Sequence, residues 1–248
     1  MEYAKTIHRF ILDILFPVTC LGCGKEGTWL CETCLALLPL EDEHVCPICE
    51  KMVTPSGRTC FACRKKSPLD ALLAAFSYDR ELVRRAVHHY KYRFIAELHV
   101  PLGGLLVDSL LQSDLPLPDL IIPVPLHRRR LRWRGFNQSQ LLAQHVGAHL
   151  TPGFPIPVCL DVLQRKRYTL PQMGIKDKPQ RRRNIENAFI FSSAAEVQNR
   201  SILLVDDIAT TGATIFECAR MLKAAGAKQV WAVVIARQAI KRKVKNKD

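Results

Sequence analysis

The chain of 248 residues contains no run near the ~20 apolar residues that a bilayer-spanning helix needs, which excludes helical membrane proteins. It has no low-complexity tract and no solenoid-type repeat. Aromatic residues make up only 7% of it, too few to mark an obvious base-stacking array. Acids are also in deficit, with 23 Asp and Glu against 36 Lys and Arg, a formal charge of +13. Such a balance points to anionic partners, whether nucleic acid, phosphorylated metabolites or an acidic membrane surface, although it also serves solubility. Met1–Phe16 carries acids at Glu2 and Asp13 and lacks a small-residue cleavage site, so it does not read as a secretion signal. Ile7, Phe10, Ile11, Ile14 and Leu15 recur there at helical spacing and predict an amphipathic helix. The expected location is the cytoplasm, where cysteines are metal ligands before they are disulfides.

What the chain does have is an ordinary globular composition, 48% hydrophobic and 24% charged, with its cysteines in one place. Eight of the ten fall between Cys20 and Cys63. That shift divides the chain into an N-terminal helix with a Cys-rich module (1–66), an α/β domain (67–240) and a basic, disordered tail (241–248). Apolar patterning predicts strands at Ala71–Tyr78, Leu120–Val124, Ala188–Ser192, Arg200–Val205 and Gln229–Ile235. Helices are predicted at Arg80–Tyr92, Glu97–Leu111, Asn137–Leu150 and Ala213–Ala225, and Pro152–Leu163 reads as proline-rich and then strand-like. Strands alternating with helices imply a parallel-rich sheet that binds ligands at the carboxyl ends of its strands.

The clustered cysteines form four Cys-x-x-Cys pairs: Cys20/Cys23, Cys31/Cys34, Cys46/Cys49 and Cys60/Cys63. Two-residue spacing lets both thiolates of one turn reach a tetrahedral ion, and two such turns complete a Cys₄ site. A single pair can be a redox device, but four in so short a stretch predict two structural zinc ions. Sequential pairing keeps the loops short, and interleaved pairing is the alternative. A closed Cys₄ site leaves no position for substrate, so the expected role is to staple a module too small to fold alone. Cys159 and Cys218 have no partners in the sequence and read as small buried hydrophobes.

In Leu203-Leu-Val-Asp-Asp-Ile-Ala-Thr-Thr-Gly-Ala-Thr214 an apolar strand ends at two adjacent carboxylates, and a Thr/Gly loop leads into a helix. Small residues let backbone amides at a helix N-terminus close on a phosphate, with Thr210, Thr211 and Thr214 adding hydroxyl donors. Asp206 and Asp207 are hydrogen-bond acceptors only, which suits the vicinal hydroxyls of a ribose. A bare Asp-Asp pair is often just a solvated helix start; the Thr/Gly continuation favours the ligand reading.

This segment resembles the phosphoribosyl-pyrophosphate (PRPP) binding motif of type I phosphoribosyltransferases. Ile121 to Gln140, including Arg134-Gly-Phe-Asn-Gln138, narrows the resemblance to the ComF family of competence-type proteins. Tyr90-Lys-Tyr92, Gln172, Arg181-Arg-Arg-Asn184, Asn187-Ala-Phe189 and the cysteine head point the same way, so the likeness runs from Leu15 to Arg237. It implies a type I phosphoribosyltransferase fold, a parallel-rich α/β sheet flanked by helices, behind a small zinc-ribbon module. By the same resemblance Asp206 and Asp207 hold the ribose, and Ala209, Thr210, Thr211, Gly212, Ala213 and Thr214 cradle the 5′-phosphate. The turn at Pro125 and Leu126 contacts pyrophosphate. Arg165–Arg183 is similar to the loop that closes over the site in such enzymes, with Arg165, Arg181 and Arg183 neutralising the departing pyrophosphate. Mg²⁺ bridges ribose and pyrophosphate oxygens.

Other residues keep two readings. Arg128, Arg129, Arg130, Arg132 and Arg134 form either a solvated face or an anion contact, here taken as nucleic acid. His127 reads as a plain surface histidine and His88 and His89 as structural, and Trp133 alone makes no stacking platform. Two functions follow. One is a PRPP-binding protein that handles incoming single-stranded DNA during natural transformation, beside other DNA-uptake proteins. The alternative is an active phosphoribosyltransferase of nucleotide or small-molecule metabolism, working by positioning and pyrophosphate neutralisation, with no DNA role. The motif fits PRPP binding without establishing turnover. Ala236–Asp248, expected after the last strand, is too short and too charged for a hood over an acceptor base, so the zinc module or Ser77–Leu111 is expected to supply one.

Overall fold

The structure, a computed structural model, describes residues 17–169, 178–192 and 196–238, without the side chains of 178, 179, 181 and 182. The helix expected over Met1–Phe16 and the tail from Lys241 lie outside these residues. The chain divides into two compact units, Met1–Pro39 and Leu40–Asp248. In the smaller unit an antiparallel bridge, Thr19 to Glu26, closes the first cysteine turn, and the short helix α1 (Glu32–Ala36) carries Cys34.

In the larger unit the second cysteine loop, with helix α2 (Phe61–Arg64), leads into strand β1 (Ala71–Ser77). Its loop lies against that strand: a Cβ at Gly57, which has φ +68°, would fall 2.1 Å from the Leu72 carbonyl oxygen, so only glycine fits. Helices α3 (Glu81–Tyr92) and α4 (His99–Leu111) follow, then strand β2 (Leu120–Pro123). Next come α5 (Arg128–Arg134), α6 (Gln138–His149), a small antiparallel pair β3 (Leu163–Arg165) and β4 (Phe189–Phe191), and α7 (Lys178–Ile185) between them. Strand β5 (Ser201–Ala209), helix α8 (Ala213–Ala224) and strand β6 (Gln229–Arg237) complete the unit.

The main sheet has the order β1-β6-β5-β2 and is wholly parallel. Parallel strands are covered on both faces, and these are nearly continuous apolar runs such as Ile202–Val205 and Val230–Ala236. On one face Leu72, Ala74, Ile202, Leu204, Val230, Ala232 and Val234 pack against Ile215, Cys218, Ala219 and Leu222 of α8. Helices α4 and α6 pack together on the sheet, α4 on β1 and β6, α6 on β2 and β5.

One segment to which the sequence assigns no element takes a defined form, and two other local outcomes differ from the sequence expectations. The arginine run Arg128–Arg134 is a helix, because its ends are capped: His127 Nδ1 accepts from the Arg129 N–H, and Gly135 takes the left-handed conformation that stops it. Pro152–Leu163 contributes only a bridge at Val158, and the strand begins at Leu163. Strand β5 runs on past Val205 to Ala209 because β6 keeps pairing with it as far as Arg237, whereas β2 leaves at the Pro123–Val205 pair. The two carboxylates therefore stand beside the gap where β2 has peeled away.

Candidate functional site

A pocket of about 340 Å³ opens at that gap. Its lining comes from the end of α3 (Lys91, Tyr92), the turn after β2 (Val124, Pro125, Leu126), α5 (Arg130, Arg134) and the start of α6 (Asn137, Gln138, Ser139). Arg165, Asp206, Asp207, Ile208, Thr210, Thr214, Tyr78 and Gln238 complete it. The start of α6 is placed by hydrogen bonds to its neighbours. Asn137 caps the helix through Oδ1 and donates Nδ2 to the Val124 carbonyl at 3.2 Å, and Tyr90 Oη donates to the Gln138 carbonyl at 2.9 Å.

The carboxylates are each tied through one oxygen. Asp206 Oδ1 accepts from Ser139 Oγ at 2.8 Å and from the Asp207 N–H at 2.9 Å. Asp207 Oδ1 accepts from the Ile208 N–H at 2.7 Å and pairs with Lys91 Nζ at 2.8 Å. These contacts fix both side chains through Oδ1, and the two carboxylates line the pocket as neighbouring acceptors. Burial, and then the charge on Asp207, push Asp206 up from 3.8 to about 7, with Lys91 opposing.

The cations outnumber the acids in the pocket, Lys91, Arg130, Arg134 and Arg165 against Asp206 and Asp207. Burial, and then the adjacent Arg130, lower the Arg165 guanidinium to about 10. Arg134 is lowered too, by burial, against the pull of Asp207. Arg134 also donates to Gln138 Oε1, while Arg165 and Arg130 both donate to Thr169. Arg134 Nε, Gln138 Nε2 and Arg165 Nε are nevertheless buried without an acceptor among the described residues. Those three atoms are shut off from the pocket space, and it is the excess of cations lining the pocket that favours an oxyanion as occupant.

The loop after β5 turns at Gly212, whose φ of +71° puts a left-handed conformation at the head of α8. Thr210 and Thr214 reach the pocket, whereas Ala209 and Ala213 are buried in the core and Thr211 and Gly212 do not line it. Thr211 Oγ1 instead accepts from the Ala213 N–H. The five arginines of α5 are split: Arg130 and Arg134, one turn apart, face the pocket, while Arg128, Arg129 and Arg132 are exposed. Arg183 is exposed on α7 and away from the pocket, and the Arg181 side chain lies outside the described residues, as do residues 170–177. Lys91 and Ser139 are contacts to which the sequence assigns no role. The only hint is their place within or beside the segments Tyr90-Lys-Tyr92 and Arg134–Gln138.

The eight cysteines form two separate clusters, Cys20, Cys23, Cys31 and Cys34 in the smaller unit and Cys46, Cys49, Cys60 and Cys63 in the larger. The sulfurs of each lie within 4.8 Å of one another, which settles the pairing as sequential. In the second cluster the Met52 and Lys51 N–H groups draw Cys49 down to about 6, while a hydrogen bond with Cys60 and then burial push Cys63 up to about 12. Amides on one thiolate and proton sharing at another fit a site whose full ionisation needs a soft dication, and both sets suit structural Zn²⁺.

Residues 137–248 match the family model described as phosphoribosyl transferase domain, and residues 11–64 match the double zinc ribbon domain. The DNA utilization protein YhgH of Escherichia coli O157:H7 is 34% identical over 212 residues, covering 83% of this chain and 90% of that protein. Competence protein F of Haemophilus influenzae is 30% identical over 240 residues, 94% of this chain and 97% of that one. Competence protein ComFC of Bacillus subtilis is 25% identical over 250 residues, covering 89% and 92%. With two Cys₄ clusters ahead of a parallel α/β sheet of phosphoribosyltransferase type, the chain belongs to the ComF family.

Proposed function

We propose that the pocket binds PRPP together with Mg²⁺, and that the protein is a cytoplasmic PRPP-binding factor that handles incoming single-stranded DNA during natural transformation. One observation carries the PRPP reading: a single pocket joins two acceptor carboxylates, the Thr210 and Thr214 end of a phosphate loop, and four cations. A ribose diol, a phosphate and a pyrophosphate are complementary to these three sets. Mg²⁺, an oxygen-seeking cation, would arrive on the oxygens of the ligand and offset their charge beside Asp206 and Asp207. Calorimetric titration of PRPP with Mg²⁺ tests the reading. Saturable binding that weakens in Asp207→Asn supports it, and no heat from the wild-type protein rejects it.

The DNA role draws support from two directions. The related proteins are named for competence and DNA utilization. The exposed Arg128, Arg129 and Arg132 add positive charge on a helix with no acid. No helix among the described residues is long and apolar enough to cross a membrane. A gel-shift titration at two salt concentrations tests the role, with binding at low salt that falls steeply as salt rises. The transfer reading is favoured by Arg130 and Arg165 in the pocket, placed to stabilise a pyrophosphate leaving group. Pyrophosphate release from PRPP in the presence of candidate acceptors separates turnover from binding.

A further inference from the structure

Aromatic side chains that the sequence scatters over separate segments come together beside the pocket. Tyr92 ends α3, Phe94 follows it and Trp133 sits on α5, with 37%, 39% and 60% of their surfaces exposed. Phe94 and Trp133 meet edge to face, ring centroids 4.9 Å apart. The Arg134 guanidinium lies 5.9 Å from the Tyr92 ring centroid and 6.0 Å from that of Trp133. Toward the other end of the same helix, the Arg129 guanidinium covers Tyr168, itself 41% exposed, at 5.0 Å.

Core packing accounts for the cluster only in part, because Trp133 leaves 60% of its surface in water and forgoes most of the benefit of burial. Backbone preference does not account for it. Phe94 has φ +58°, just beyond the end of α3, where glycine is the usual occupant and a bulky side chain is strained. Strain and exposure together mark a surface kept for a partner. The partner's chemistry follows from the charge: five arginines and no acid between His127 and Gly135. Arginine meets phosphates as forked ion pairs and also stacks on flat rings.

We propose that this face of α5 binds single-stranded nucleic acid, with unpaired bases stacking at Trp133 and Tyr168 and phosphates meeting Arg128, Arg129 and Arg132. It deepens the DNA reading above and rests on it. An unpaired strand offers the faces of its bases, which a duplex keeps stacked inside, so the rings confer a preference for single strands. Base faces are alike in this respect, so sequence preference is slight. An acidic protein would need the arginines but not the rings.

The test is fluorescence anisotropy of a labelled thymidine oligomer of about 20 nucleotides, titrated with the full chain as wild type, Trp133→Ala and Trp133→Phe. An abasic oligomer, a duplex and polyglutamate are run beside it, and thermal unfolding checks that each variant is folded. Trp133→Ala should weaken binding roughly 5- to 100-fold, the range for loss of one stacked base, with the salt slope unchanged. Trp133→Phe should recover most of the loss, and the wild type should bind the abasic oligomer, which loses the stack at Tyr168 as well, more weakly than Trp133→Ala binds the thymidine oligomer. Equal affinity of wild type and Trp133→Ala, or of thymidine and abasic oligomers, overturns this inference while leaving the DNA reading standing. Equally tight binding of duplex or polyglutamate overturns it as well. No binding of any oligomer by the wild type removes both.

Discussion

Lys91 and Asp207 form an ion pair of 2.8 Å inside the pocket, with side chains only 19% and 9% exposed. Such a pair is costly to break on one side, since the surviving charge loses its partner in a place water barely reaches. Lys91→Met should therefore destabilise the protein by about 2–3 kcal/mol, the scale of a charged hydrogen bond. The double variant with Asp207→Asn should lose less than the sum of the two single variants. Urea unfolding of the four proteins measures the coupling, and simple additivity would show that the pair contributes nothing.

Asp207→Asn keeps the shape of the side chain and removes its charge. PRPP affinity should fall by about 1–3 kcal/mol, and titration calorimetry reads it directly. An unchanged affinity would mean that the ribose sits elsewhere.

Asp206 sets a pH dependence. Its folded value is raised from 3.8 to about 7, by burial and then by Asp207, so the fold favours the protonated form. The stability this contributes is fully present below about pH 3.8 and is lost as pH rises through about 7. Asp206→Asn should thus gain most stability relative to wild type at pH 8, less at pH 5 and little at pH 3. Diol binding uses the ionised carboxylate, so PRPP affinity should rise about tenfold from pH 6 to pH 8, an increase that Asp206→Asn flattens. Calorimetry and thermal unfolding across this range check both.

Removal of metal should act on the pocket through the second cysteine cluster. Glu50 follows Cys49 and pairs with Arg237 at 3.3 Å, both largely buried, and Gln238 beside Arg237 lines the pocket. Elemental analysis should return two zinc ions per chain, and one after Cys46→Ser with Cys49→Ser. That variant should melt at a lower temperature and bind PRPP more weakly. Intact PRPP binding without the second zinc would show that the Glu50–Arg237 link carries no information about metal.

The arginines of α5 should separate by function. Replacing Arg130 and Arg134 with Ala should weaken PRPP, because both line the pocket. Replacing Arg128, Arg129 and Arg132 should leave PRPP unchanged and reduce the salt slope of single-strand binding by about 2, at roughly 0.7 per phosphate contact. Gel shifts at several salt concentrations, paired with calorimetry, read the two effects independently.

The sequence by itself determined what depends on neighbours along the chain. The Cys-x-x-Cys spacing dictated two Cys₄ clusters, since two-residue turns bring thiols together whatever surrounds them. The apolar run ending at Asp206 and Asp207 dictated a buried strand leading to an acceptor pair, with Thr210 and Thr214 at a helix start. Only the tertiary structure decided what lies opposite. That β2 leaves β5 at Val205 while β6 stays to Ala209 is a matter of strand register, invisible in either strand alone, and it opens the gap in which the carboxylates stand. That Lys91 meets Asp207 and Ser139 meets Asp206 depends on contacts across more than 60 positions of chain, which no local periodicity encodes. The arginine run shows the same division: its composition left a solvated face and an anion contact both open. Its winding into a capped helix turned Arg130 and Arg134 to the pocket and Arg128, Arg129 and Arg132 outward, because side chains one turn apart share a face.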